Sequence, residues 1–260
     1  MRCAHIEDVL REMERRYRAL DRAADFRAVF ARSYLTTTEH VYAATRRPGV
    51  FRDPEWVARI DCAFAERYFR AWDAFAAGAD CPEPWAIAFR AALDGGTAVL
   101  QDILLGMNAH ISLDLPYSLD DTIEPDASPE RLALRHADHE TLNEVLAEAV
   151  DAVQRDAAWA YDPALAAADI LLGSVDERLA SRFIRYLRNR VWEEYLLLRA
   201  AREPGLRRLV ERNIESAAID TAHLLLEPQR ILPRMRTPLR IYRRSVCYAR
   251  RAWRMVLPAR

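Results

Sequence analysis

The chain has 260 residues, of which 51% are hydrophobic and 30% charged, the balance of an ordinary folded protein. Its apolar stretches are too short for a membrane-spanning helix, and its first residues lack the apolar core of a signal peptide. The four cysteines have no zinc-site spacing, so we expect free thiols in a reducing cytoplasm. All 38 basic residues are arginine, which we attribute to a GC-rich genome rather than to phosphate recognition.

Helical periodicity and helix-breaking residues predict helices along almost the whole chain. Seven predicted helices cover residues 5–22, 26–45, 85–93, 97–113, 129–158, 176–202 and 239–256. Another starts at residue 54 and ends at a turn over residues 77–84. A short helix starts at residue 162, and one more runs from the Pro204-Gly205 break to about residue 226. No stretch alternates with period two long enough for a sheet. We therefore predict an all-α protein, a single multi-helix bundle of roughly eight to ten helices over residues 1–227. Residues 228–260 form a basic C-terminal helical segment that we expect to dock on it.

The element over 97–113 is apolar nearly all round, so we expect it to lie centrally. Pro116 should end or kink it. Residues 118–129, SLDDTIEPDASP, read as a polar acidic loop. The Asp53-Pro54 pair is typical of a capped helix start.

The end of this apolar element carries an unusual polar cluster, Asn108, His110 and Asp114. His110 and Asp114 are four residues apart and share a helix face, so both could hold one metal ion, or Asp114 could orient the imidazole. Asn108 lies on a different face and should bond another group. Gly106 would let a neighbouring helix or a ligand approach closely. Alternatively, the pair is a buried hydrogen bond that ties the helix end to the loop.

Two further polar stretches could contribute to a site. In the first, His136, His139, Glu140 and Asn143 have helical spacing and could ligate a metal, or could form a solvated face. In the second, three threonines at 36–38 lie near Tyr34 and His40, and could line a polar pocket or a helix contact.

The stretch Gly106–Pro116, GMNAHISLDLP, resembles the signature of domain-of-unknown-function family 5995, an uncharacterised bacterial family. Weaker blocks agree with it over roughly residues 25–200: Tyr34 and Thr38; Phe64, Ala65, Tyr68, Phe69 and Ala71; Trp85 and Phe89; Asp138 and Asn143; Arg188 and Trp192. The resemblance implies a helical bundle without an established activity. It also implies that Asn108, His110, Asp114, Asp138 and Asn143 belong to one constellation.

The segment from residue 228 onward holds ten arginines and no acidic residue, and aromatic residues are interleaved with them. Such a segment could bind an anionic membrane surface, or could dock on the acidic body. No nucleic-acid motif is present, and we expect no nucleic-acid partner.

Two hypotheses follow. In the first, the chain is an enzyme that uses acid–base chemistry, with or without a divalent metal at His110 and Asp114, for hydrolysis or proton transfer on a small or lipid-like molecule. Its catalytic residues would be His110, Asp114 and Asp138, and its substrate-binding residues Asn108, Asn143, Tyr34 and Thr38. In the second, the chain is a non-enzymatic helical binding protein whose basic segment contacts an acidic partner or a membrane surface.

Overall fold

Helices account for nearly all of the chain in the computed structural model, which describes residues 3–162, 174–231, 234 and 236–256. The helices are α1 (Ile6–Ala23), α2 (Ala28–Thr45), α3 (Pro54–Ala76), α4 (Glu83–Asp94), α5 (Val99–Asn108), a π-helical turn (Ala109–Asp114), α6 (Leu115–Thr122), α7 (Pro129–Ala160), α8 (Ser174–Ala200), α9 (Pro204–Ile231) and α10 (Arg236–Val256). No strand occurs within these ranges. The predicted all-α bundle is confirmed. The short helix predicted from residue 162 falls almost wholly outside the described residues.

Several helix ends follow the capping chemistry of the sequence. The Asp53 carboxylate accepts a hydrogen bond from the Trp56 backbone N–H at 2.9 Å, with Pro54 in the first turn. Ser128 caps α7 in the same way ahead of Pro129. Gly95 ends α4 in the left-handed region, with φ of 69°, which costs glycine little. These local signals set where helices start and stop.

The region after Pro116 differs from the prediction. The proline neither ends the helix nor starts the loop, because it sits in the first turn of α6, where its missing N–H is tolerated. Residues 118–122 are therefore helical, and the irregular connection is only residues 123–128. The predicted loop over 118–129 was too long by about one helical turn.

The rod made of α5, the π-helical turn and α6 lies at the centre of the bundle, as predicted. Its π-helical turn contacts α3, α4, α8 and α9, and α5 also packs on α2. All six residues of that turn are buried. None of the helices in the described ranges is long and apolar enough to cross a membrane.

Several arginines of α10 form ion pairs with acidic residues of the bundle. Arg236 and Arg240 form ion pairs with Asp94, at 2.9 and 2.6 Å. Further along α10, Arg243 pairs with Asp102 at 2.6 Å, both side chains being almost fully buried. The basic C-terminal segment and the acidic body, which differ in charge along the sequence, are thus joined by ion pairs in the structure.

Candidate functional site

A hydrogen-bonded chain of three side chains fixes His110. Asp114 Oδ2 accepts from His110 Nδ1 at 3.0 Å and from Trp85 Nε1 at 2.9 Å. The proton on Nδ1 is therefore held by the carboxylate, and in the neutral ring Nε2 is left with a lone pair. The predicted pairing of His110 with Asp114 is confirmed.

The π-helical turn supplies the backbone for this pair. Pro116 has no N–H, and in an α-helix its ring would clash with the carbonyl of the preceding turn. The wider i→i+5 hydrogen-bonding of residues 109–114 relieves that clash, and turns of this kind are frequent at functional sites. The Ser118 hydroxyl then donates to the Asp114 backbone carbonyl at 2.9 Å.

Aromatic rings enclose the imidazole of His110. Phe64 stacks on it with ring centroids 3.3 Å apart and planes 4° from parallel, and Tyr34 meets it edge-on at 4.4 Å. Burial lowers the pKa of His110, and Asp114 only partly offsets this effect. The ring is therefore neutral near pH 7, and its aromatic contacts and the hydrogen bond to Asp114 fix its orientation.

A cavity of about 170 Å³ opens in front of this ring, with walls from α2, α3, α5, α7 and α8. Its lining is mostly aliphatic and aromatic. Among the described residues, three buried polar atoms of lining residues find no hydrogen-bond partner: the Tyr34 hydroxyl, Asp61 Oδ2 and His110 Nε2. Because a buried polar atom without a partner is costly, these atoms are unsatisfied positions in the wall around the cavity.

Asp61 is a member of the site that the sequence analysis missed. Burial raises the pKa of its carboxyl to about 7, so at lower pH it is a neutral O–H donor. Burial also raises the pKa of Tyr34 well above its usual value, which keeps the phenol protonated. A signal was available: Asp61 falls on the apolar face of α3 that carries Val57, Ile60 and Phe64, where a carboxylate is out of place.

The wall formed by α7 and α8 carries a second polar cluster. Arg188 Nε donates to Asn143 Oδ1 at 2.8 Å, and its Nη2 donates to the His139 carbonyl at 2.8 Å. Nη2 also lies 3.1 Å from His139 Nδ1, and His139 Nε2 lies 3.1 Å from the Arg188 carbonyl. Burial and the Arg188 charge lower the pKa of His139 well below its usual value, so this ring is neutral and supports the arginine.

The remaining predicted site residues bond to different parts of the chain. Asp138 accepts from the backbone N–H groups of Arg52 and Asp53, at 2.7 and 2.8 Å, and does not line the cavity. Asn108 donates to the Ala218 carbonyl of α9 at 2.8 Å and lies outside it as well. Their contacts tie segments together and give no support to the predicted catalytic and substrate-binding roles.

The polar stretch at residues 34–40 divides between two environments. Tyr34, Thr37 and Thr38 line the cavity, whose wall is mostly apolar, whereas the Thr36 hydroxyl donates to Asp156 at 2.7 Å; the polar-pocket interpretation stays a prediction. His40 does not line it, and its Nδ1 lies 2.8 Å from the Thr36 carbonyl. On α7, His136 is about half exposed and packs against Trp192, so it does not join the site.

The arrangement fits a metal ion poorly. Within the described ranges no three His, Cys, Asp or Glu side chains converge as a metal site requires. The nitrogen and oxygen of His110 and Asp114 that face each other are joined by a hydrogen bond. Metal ligation by this pair stays a prediction, and the geometry favours the orienting role of Asp114.

The fold and site define an all-α protein with a buried histidine facing an apolar cavity. Residues 6–228 match the model of a family of unknown function, DUF5995. The chain belongs to this family, as the GMNAHISLDLP stretch indicated, and the match stops at the start of the basic segment. No curated protein and no solved structure matches the chain.

Proposed function

We propose that this chain is an enzyme that performs acid–base catalysis, proton transfer or hydrolysis, on a small apolar or lipid-like molecule bound in the cavity. One observation carries the proposal: His110 Nε2 is buried, has no partner within the described part of the chain, and belongs to a ring held by Asp114 beside an apolar cavity. A merely structural His–Asp pair would not need its second nitrogen at a cavity wall.

The roles follow from the protonation states. His110 accepts a proton from the substrate, or from a water that attacks it, and Asp114 stabilises the imidazolium that forms. Tyr34 and the neutral form of Asp61 donate hydrogen bonds to the oxygen on which negative charge develops. The proton on His110 then returns to the product or to the leaving group, so the base is regenerated.

The alternative role, contact with an acidic partner or an anionic membrane through residues 228–260, has less support. Arg236, Arg240, Arg243 and Arg250 pair with aspartates of the body, so these charges are already neutralised. We also place the protein in the cytoplasm, because Cys3, Cys62 and Cys81 form no disulfide among the described residues, which fits a reducing compartment.

The test compares His110→Gln with a matched control, His136→Gln, which changes an exposed histidine on α7. The probes are short- and medium-chain p-nitrophenyl esters for hydrolysis, and deuterium uptake by apolar ketones in D2O for proton transfer. Glutamine can still bond Asp114 but has no basic nitrogen. We expect activity to fall by about 10²–10⁴-fold in His110→Gln and to persist in His136→Gln.

A second variant, Asp114→Asn, changes the hydrogen bond that orients the His110 ring and keeps the size of the side chain at residue 114. The asparagine should move the proton from Nδ1 to Nε2, which removes the lone pair facing the cavity and lowers activity as well. Nitrogen-15 NMR of the histidine ring reports that tautomer directly. Full activity in both His110→Gln and Asp114→Asn would refute the proposal.

A further inference from the structure

Arg188 is a buried cation in the cavity wall that has no acidic partner among the residues that the structure describes. It is 4% exposed, and no carboxylate of a described residue lies within ion-pairing distance of it. The nearest compensation is indirect, because Glu140 bonds Asn143 at 3.3 Å and Asn143 bonds the guanidinium. Burial lowers the pKa of Arg188 to about 10, which leaves it charged at neutral pH.

The hydrogen bonds of Arg188 to described residues engage two of the three guanidinium nitrogens. Nε is taken by Asn143, and Nη2 by the His139 carbonyl and ring. Nη1 makes no hydrogen bond to any residue that the structure describes. A buried charge is costly unless it is paired. An anion bound in the cavity would therefore supply the negative charge that no described residue places beside Arg188.

The cavity restricts which anion can bind. Arg188 is the one arginine among its described lining residues, and Asp61 would add a negative charge on ionisation. A phosphate monoester, whose second pKa near 6 leaves it with more than one negative charge at about pH 6, would therefore be poorly compensated, whereas a single carboxylate matches a single guanidinium. The remaining lining is apolar, and at about 170 Å³ the space resembles cavities that accept a small ring or a short chain.

We propose that the cavity takes a small apolar monocarboxylate, which binds through its carboxylate to Arg188 Nη1 and presents its apolar body to His110. The inference rests on the proposed function and names the chemical class of the ligand. Asn143 and His139 are then positioning residues, since they hold the guanidinium and leave Nη1 available.

The test is calorimetric titration of the full chain with hexanoate, hexan-1-ol, hexylamine and hexyl phosphate, which share an apolar body and differ in the head group. At about pH 6 the Asp61 carboxyl, with its pKa of about 7, is mostly neutral and repels no anion. We expect hexanoate to bind at least tenfold more tightly than each of the other three.

Arg188→Met keeps the length of the side chain and removes the charge, so hexanoate should lose at least tenfold in affinity while hexan-1-ol binds no worse. Arg185→Met is the matched control, since this arginine is exposed on the same helix, and it should bind like the wild type. If Arg188→Met does not fold, the wild-type comparison of the four ligands still decides the matter.

Equal or tighter binding of hexan-1-ol or hexyl phosphate by the wild type would overturn the monocarboxylate and leave the proposed enzyme standing. Binding of none of the four would also overturn it. The proposed function fails by a different result, undiminished activity of His110→Gln, so the two failures can be told apart.

Discussion

Asp61 determines how the charge of the cavity depends on pH. Its folded-state pKa of about 7 lies above the ordinary 3.8, so the folded protein holds this proton more tightly than the unfolded chain does. The stabilising contribution is therefore complete below about pH 4, falls as the pH rises, and is lost above about pH 7. A carboxylate placed for stability alone would not lie unpaired in an apolar wall.

Asp61→Asn should remove this dependence, because asparagine does not ionise. The free energy of unfolding of the variant, relative to wild type, should rise by about 3 kcal/mol between about pH 5 and about pH 8. Urea denaturation at both pH values measures it. Asp151→Asn, which changes an exposed aspartate of α7, is the control. A difference that does not change with pH would show that Asp61 is ionised throughout.

At the scale of elements, the close approach of α5 and α2 shapes the site. A Cβ at Gly106 would overlap the ring of Phe30, and that ring packs edge-on against Tyr68, Trp85 and His110. The expected close approach at Gly106 is confirmed, and the neighbour is the helix that carries Tyr34. A glycine inside a helix is here the condition for bringing α2 next to His110.

Gly106→Ala sets two effects against each other. Alanine improves helix propensity by about 0.5–1 kcal/mol, but a ring packed on several sides cannot move away from the new methyl group. We expect net destabilisation of about 1–3 kcal/mol, measured by denaturant unfolding. The double variant with Phe30→Leu should recover part of the loss. Net stabilisation by Gly106→Ala would mean that Phe30 is loosely packed.

At the scale of the whole molecule, the basic helix α10 is joined to the centre of the bundle by one buried ion pair. Arg243 bonds Asp102 at 2.6 Å and the Thr97 carbonyl at 2.7 Å, and its guanidinium lies 4.0 Å from the ring centre of Phe26. Asp102 belongs to α5, and His110 follows two residues after the end of that helix, in the π-helical turn. Docking of α10 therefore acts directly on the element that builds the site.

Arg243→Met should cost about 3–5 kcal/mol of stability, because it leaves Asp102 buried without its partner. Arg236→Met, which breaks an exposed pair with Asp94, should cost about 0–1 kcal/mol. Thermal and urea unfolding compare the two. Combining Arg243→Met with Asp102→Leu should recover much of the loss. Similar costs for Arg243→Met and Arg236→Met would contradict the buried pairing.

The sequence by itself determined the helices, the central position of the apolar element, and the pairing of His110 with Asp114. Helix periodicity, capping and a four-residue spacing are local, so they can be read without the fold. It did not predict the π-helical turn, because a proline at position 116 is equally compatible with a helix that ends or kinks there. It grouped Asp138 with the site through a resemblance, which does not give contacts, and it grouped Asn108 with His110 through their nearness in sequence, although the two lie on different faces of the helix.

Only the tertiary structure decided what surrounds His110 Nε2. Helices from distant parts of the chain meet around the cavity, and among the described residues their meeting leaves an oxygen of Asp61 and a nitrogen of Arg188 without a hydrogen bond. Long-range packing of this kind determines burial, and burial determines which polar groups lose water, which pKa values shift and which atoms stay without a partner. In this chain the chemistry of each single residue can be read from the sequence, whereas the set of residues that forms the site depends on the tertiary structure.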